Sequence, residues 1–154
     1  MDKLKKIFPL LIAFILLSCT DTMESSIPDR TVYLELNIDY QDKVLNEIQG
    51  YKIYTSSNVD QAGEETGFGG VLVYHGISST GDDAFYAFDA ACPYEAISSI
   101  TIEVDDDAVY ATCPECGSKY ELLNGLGNPV EGPCEEYLKQ YTVTTSGSTV
   151  YVYN

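Results

Sequence analysis

The strongest constraint on the fold is an alternation of apolar and polar residues that returns in short runs along most of the chain. In TVYLELNI, Val32, Leu34, Leu36 and Ile38 interleave with Tyr33, Glu35 and Asn37. A period of two sends successive side chains to opposite faces of an extended strand, so one face can be buried while the other stays wet. GYKIYT (50–55), GGVLVYHG (69–76), AFYAFDA (84–90), ISSITIEV (97–104), DAVYAT (107–112), SKYELL (118–123), YTVTT (141–145) and TVYVY (149–153) share the β-branched and aromatic bias of strands. Clusters such as SSTGDD, VDDDA and NGLGNP separate them, and TSGST between the last two runs predicts a hairpin turn. Only YQDKVLNEIQ (40–49) reads as helix, with Val44, Leu45 and Ile48 at helical spacing. Many short strands joined by turns predict an all-β sandwich or barrel. The 13 tyrosines suit a β surface and require no binding role.

The N-terminus differs from the rest. Lys3, Lys5 and Lys6 precede an apolar run from Leu10 to Leu17, which is too short for the roughly 20 residues that cross a bilayer. A charged head and a short apolar body have the layout of a secretory signal. The run ends in LLSC (16–19), which resembles the lipobox of bacterial lipoproteins. That resemblance implies removal of residues 1–18, acylation of Cys19, and anchoring to a membrane outside the cytoplasm, where several acyl chains grip far better than one. Residues 19–30 are polar and contain Pro28, so they are expected to form a flexible tether. Residues 31–154 form the expected β domain.

The chain carries 8 basic and 24 acidic residues. The signal takes Lys3, Lys5, Lys6 and Asp2 with it, leaving 5 against 23 in 136 residues and a net charge of −18. This surface repels nucleic acid and anionic lipid heads and excludes both as expected partners. It also favours solubility.

Apart from Cys19, the cysteines are Cys92, Cys113, Cys116 and Cys134. Cys113 and Cys116 form the knuckle CPECG, whose glycine allows the turn that aims backbone amides at sulfur. Thiols that converge outside the cytoplasm either bind metal or oxidise. The disulfide pairings considered are Cys92–Cys113 with Cys116–Cys134, or Cys113–Cys116 within the knuckle. A knuckle of this kind can hold a metal such as Zn²⁺ or a single iron, hold an iron–sulfur cluster such as [2Fe–2S], or pair as a redox disulfide.

The order of motifs narrows this choice. AFDAACPYEA is followed about twenty residues later by CPECGSKY, then by GNPVEGPCEEYLKQY and a closing hairpin. From Gly69 to Tyr153 this succession resembles the Rieske domain, above all the small lipid-anchored Rieske-like proteins of bacteria. The resemblance implies a larger β framework with a small cluster-binding subdomain at about 90–134, and a [2Fe–2S] cluster held by one cysteine and one histidine from each box. Cys92 and Cys113 match the cysteines, whereas the histidine positions fall on Tyr94 and Cys116. The chain's one histidine is His75, before the first box. A strict Rieske centre is therefore not expected. Cys134 stands where the family turn reads Gly-Pro-Ala, which makes it the expected fourth sulfur, with Tyr94 a weaker candidate.

The remaining motifs carry less. GEETGFGG (63–70) lacks the helix and the Lys-Ser/Thr of a phosphate loop. The acids at 103–107 read as a solvated turn, and one histidine at a predicted strand end, expected to be a surface or turn residue, supports no catalytic triad. The expectation is an electron carrier or redox sensor rather than a catalyst, with a redox partner left unspecified. The alternative is a cluster-free, disulfide-stapled binding or structural module.

Overall fold

A computed structural model describes residues 25–154. The expected signal (1–18), the expected lipidation site Cys19 and the first part of the expected tether lie outside the described residues.

Among the described residues, eleven strands form two antiparallel sheets. The larger sheet contains β1 (Val32–Asn37), β2 (Tyr51–Tyr54), β3 (Glu65–Thr66), β4 (Val71–Ile77), β5 (Asp83–Asp89), β10 (Gln140–Ser146) and β11 (Thr149–Tyr153), ordered β2-β4-β5-β10-β11-β1-β3. The smaller one runs β6-β7-β8-β9, from Glu103–Val104, Tyr110–Thr112, Lys119–Glu121 and Pro129–Glu131. The expectation of an all-β framework with a small second subdomain is met.

The alternation of the first strand does what its period dictates. Val32, Leu34 and Leu36 are buried, while β1 pairs with β11 from Tyr33↔Tyr153 to Asn37↔Thr149. These side chains share one core with Tyr54, Val71, Val73, Ala87, Tyr141, Val150 and Val152, which come from both ends of the sheet's strand order. A single core touched by both flanks requires the sheet to curl on itself, barrel-like. The TSGST hairpin forms as expected, with Ser146 paired to Thr149 and Gly147 at φ +59.

Strand β4 has no wet face, as its uninterrupted apolar run implies. Val71 and Val73 enter the framework core, whereas Leu72 and Tyr74 point into a second core. Phe88, Ile102, Ala111, Tyr120, Leu122, Leu138 and the buried cysteines Cys92, Cys113 and Cys134 complete that second core between framework and small sheet. Each large apolar side chain removed from water there contributes roughly 1.5–3 kcal/mol. This second core is the platform for the cysteine loops.

Several local readings are corrected. ISSITIEV is a strand only at Glu103–Val104, plus one bridge from Thr101 to Ala91, because Ala96 turns at φ +50 and the backbone folds back onto the first cysteine loop. The mildly helical 40–49 segment yields one 3₁₀ turn, Lys43–Asn46. The short strands β3 and β9 carry no alternation long enough to announce them. The end of the expected tether is docked rather than free. Ile27 is buried, the Ser26 N–H and hydroxyl both donate to the Glu136 carboxylate, and Lys139 donates to the Ile27 carbonyl and pairs with Asp29.

Candidate metal centre

Three loops meet at the second core, and each is fixed by its own hydrogen bonds. The first leaves β5 at Asp89. That carboxylate is fully buried and accepts the N–H groups of Phe68 (3.0 Å), Gly69 (3.0 Å) and Ala91 (2.9 Å) and the hydroxyl of Tyr141 (2.6 Å). Hydrogen bonds to a charged acceptor are strong enough to offset the cost of burying it. Burial, and then donation to Asp89, pushes the Tyr141 hydroxyl far above the usual tyrosine range. From this anchor the loop closes through Cys92 N–H to Ile100 O (3.0 Å), Ala96 N–H to Cys92 O (2.9 Å) and Ile102 N–H to Ala90 O (2.8 Å).

The second loop caps the β7–β8 hairpin beyond the Thr112↔Lys119 pair. Cys113 N–H donates to Ser118 O (2.8 Å) and Gly117 N–H to Cys113 O (3.0 Å), with Gly117 at φ +73. The turn directs the amides of Glu115 and Cys116 at the Cys113 sulfur and the amide of Ser118 at the Cys116 sulfur. Backbone donors aimed at sulfur stabilise negative charge on it without a cation.

These loops bring Cys92, Cys113 and Cys116 together, with all three sulfurs within 4.8 Å of one another. The Cys92 and Cys116 Sγ atoms stand 3.7 Å apart. Behind them the Tyr120 hydroxyl lies 3.5 Å from Cys92 Sγ, and the Cys116 thiol donates to Ser118 Oγ at 3.2 Å. Burial pushes the Cys113 thiol up to about 12 despite its two amides. Burial also opposes ionisation of Cys116, but the Ser118 hydroxyl and amide and the neighbouring thiols outweigh it and hold Cys116 below the usual range. Burial, then hydrogen bonds to Cys134 and Cys92, keep the Tyr120 phenol protonated.

The third loop carries Cys134. Gly132, at φ +92, sits directly on the backbone of Gly117 and Ser118. Cys134 N–H donates to Ser118 Oγ at 3.0 Å, and its thiol turns to the Glu136 carbonyl at 3.6 Å. Cys134 thus shares the core, 7% exposed, and reaches the Tyr120 hydroxyl, but it stands outside the group of three mutually close sulfurs. The expected four-sulfur convergence is observed for three. Tyr94, the other candidate, is 55% exposed and makes no side-chain hydrogen bond among the described residues.

His75 is not at a surface or turn as expected. It is buried in β4, its Nδ1 2.9 Å from the Leu45 carbonyl and its ring stacked on Phe85 at 4.4 Å. It belongs to neither cysteine loop, so a two-histidine cluster does not fit these donors, whereas a thiolate-bound metal does. All four described cysteines carry free thiols. The close pair, Cys92 with Cys116, belongs to none of the disulfide pairings considered from sequence.

Ser118, Tyr120 and Asp89 were not assigned roles from sequence. For Asp89 a signal was present: an acid inside the apolar run AFYAFDAA is costly unless its carboxylate organises backbone around it.

No family model matches the chain, and no curated protein matches it. Among solved structures it is similar to a chain from the complex of reduced oxygenase and oxidized ferredoxin in carbazole 1,9a-dioxygenase, at 20% identity over 77% of this chain and 99% of that one, with a TM-score of 0.45. A chain from a complex of ferredoxin with a singly substituted oxygenase of carbazole 1,9a-dioxygenase aligns over 84% of this chain and 30% of that one, at 15% identity and TM-score 0.48. The Sphingomonas yanoikuyae B1 ferredoxin aligns over 67% of this chain and 96% of that one, at 17% identity and TM-score 0.39.

Proposed function

We propose that this chain is a metal–thiolate protein of the bacterial cell envelope, tethered through acylated Cys19, whose centre serves one-electron transfer or redox sensing. One observation carries the metal reading. Thiols from two loops separate in sequence lie within 4.8 Å of one another, and each loop is locked by backbone hydrogen bonds that do not involve the sulfurs. Such convergence is preorganised for a soft cation. Iron bound there supplies one-electron chemistry; zinc in the same place supplies a structural cross-link between the loops.

The chain's own residues have definable tasks in this reading. The amides of Glu115, Cys116 and Ser118 and the hydroxyls of Ser118 and Tyr120 offset thiolate charge. Buried Leu72, Phe88, Ile102 and Leu138 keep water from the inner side. The lipid anchor rests on the sequence of residues 1–19, and the net charge of −18 once residues 1–18 are removed argues against nucleic-acid partners.

A second reading is favoured by the 3.7 Å approach of Cys92 to Cys116. In an oxidising compartment these thiols close a disulfide, and the domain is then a metal-free binding or structural module. Elemental analysis and a thiol count on protein purified anaerobically from its native host separate the two. Stoichiometric metal supports the metal reading. Metal-free protein short of free thiols supports the module, and metal-free protein with all thiols reduced sinks both.

A further inference from the structure

We infer that Cys92, Cys113 and Cys116 form a site for one tetrahedral metal ion rather than for a two-iron cluster, with the fourth coordination position facing solvent. The inference rests on the metal reading above and deepens it. Four ligands at the ~2.3 Å of a zinc–thiolate bond define a tetrahedron whose edge is about 3.8 Å. The Cys92 and Cys116 sulfurs are 3.7 Å apart, the edge of such a tetrahedron, and the Cys113 sulfur lies within 4.8 Å of both.

A two-iron arrangement makes a different demand. In the family layout the second-box position occupied by Cys116 serves the other iron from Cys92. Ligands on different irons stand farther apart than ligands sharing one. Here the two residues stand at the separation of ligands on the same ion, and Cys134, the one further sulfur in this core, is turned to the Glu136 carbonyl.

The open position follows from burial. Cys92, Cys113, Ser118 and Tyr120 are fully buried and close the inner side of the sulfur group. Cys116 is half-buried, and Pro114, Glu115 and Gly117 around it are exposed. An ion on this face has three protein sulfurs behind it and water in front. Closed structural sites have four protein ligands, whereas sites that take an exogenous ligand keep one position free. The ligand class matching a thiolate-bound soft ion is a small soft donor such as a free thiol.

The test uses the full chain, reduced and handled anaerobically in detergent, titrated with Co²⁺ and with Zn²⁺. Expected are one ion per chain, intense sulfur-to-cobalt charge-transfer absorption, and visible bands typical of tetrahedral cobalt. Added 2-mercaptoethanol is expected to shift those bands. Cys134→Ala should leave stoichiometry and spectrum unchanged, whereas Cys116→Ser should weaken binding at least about tenfold. Two irons per chain in protein from the native host overturn the single-ion inference but leave the metal reading standing. Bands that ignore added thiol but change in Cys134→Ala make Cys134 the fourth ligand and overturn the open position. Failure of every metal to bind fully reduced protein overturns both.

Discussion

Gly132 lies against Ser118 so closely that a β-carbon at residue 132 would stand 2.4 Å from the Ser118 Cα and 2.8 Å from the Gly117 carbonyl oxygen. This contact clamps the Cys134 loop onto the cysteine knuckle. It joins two loops through backbone rather than side chain, so neither can yield by rotating a bond.

Gly132→Ala should therefore destabilise the domain by about 2–4 kcal/mol, combining strain at φ +92 with a backbone clash. Gly117→Ala supplies the contrast. Its φ of +73 carries the same kind of strain, but its β-carbon meets nothing within 4 Å, so a loss of about 1 kcal/mol is expected. Urea unfolding of both variants checks the ranking; equal losses would remove the clamp.

Ser118→Ala leaves the Cys134 N–H without its acceptor in a buried site and strips the Cys116 thiol of its partner. An orphaned buried donor costs about 1–3 kcal/mol, and a loss in that range is expected in denaturant unfolding. Ser118→Thr, which retains the hydroxyl, should recover part of it. Full stability in the alanine variant would show that the hydroxyl bridges nothing of consequence.

Asp89→Asn replaces one of two acceptor oxygens by an N–H₂, which must face either the Gly69 and Ala91 amides or the Phe68 amide and the Tyr141 hydroxyl. The expected loss is about 2–4 kcal/mol. Tyr141→Phe removes one of the four donors and should cost about 1 kcal/mol. Because Asp89 sets the departure of the Cys92 loop, hydrogen exchange in Asp89→Asn should rise at 90–102 before it rises in β1 or β11. Uniform exchange across the domain would argue that Asp89 is a global rather than a local anchor.

Alkali should unfold the domain through its buried tyrosines. Burial first, then the Asp42 carboxylate, raises Tyr54; burial first, then Asp107, pushes Tyr74 up to about 12; burial and Asp89 raise Tyr141. Folded values lie above the unfolded value near 10, so the unfolded chain releases these protons first. The associated stability is complete below about pH 10 and falls as pH rises beyond it, by about 1.4 kcal/mol per pH unit for each such tyrosine. Denaturant midpoints followed with tyrosinate absorbance check this, and Tyr54→Phe should flatten the slope. A slope unchanged in that variant would clear Tyr54 of any part.

Metal should stabilise the fold. The sulfurs converge only when both loops are in place, so an ion that binds the folded chain alone adds about 2.7 kcal/mol at a free concentration one hundred times its Kd. Thermal unfolding with and without Zn²⁺ and a chelator reads this directly. A Zn²⁺ effect that survives in Cys113→Ala would place binding elsewhere.

The strands were legible where their signal is local. Val32, Leu34 and Leu36 alternate because one face of one strand is buried, and that fact is written within six residues. At β4 only a strand was expected; its double burial is a finding of the structure, with the unbroken apolar run VLVY as its local signal. ISSITIEV misled because Ile100 and Ile102 bond to the first cysteine loop rather than to a neighbouring strand, an irregular partnership with no periodicity of its own.

The sequence by itself determined an all-β chain, the hairpin at 146–149, and which cysteines would lie on which loops, since each is set by residues adjacent in the chain. Which sulfurs meet was decided only by tertiary structure. Cys92 reaches Cys116 because Asp89 aims one loop and Gly117 turns the other. Cys134, which the motif order also directed to this site, is turned aside by the Glu136 carbonyl. Spacing along the chain can bring a residue to the neighbourhood of a site. The rotamer that joins or leaves it depends on hydrogen-bond partners supplied by other loops.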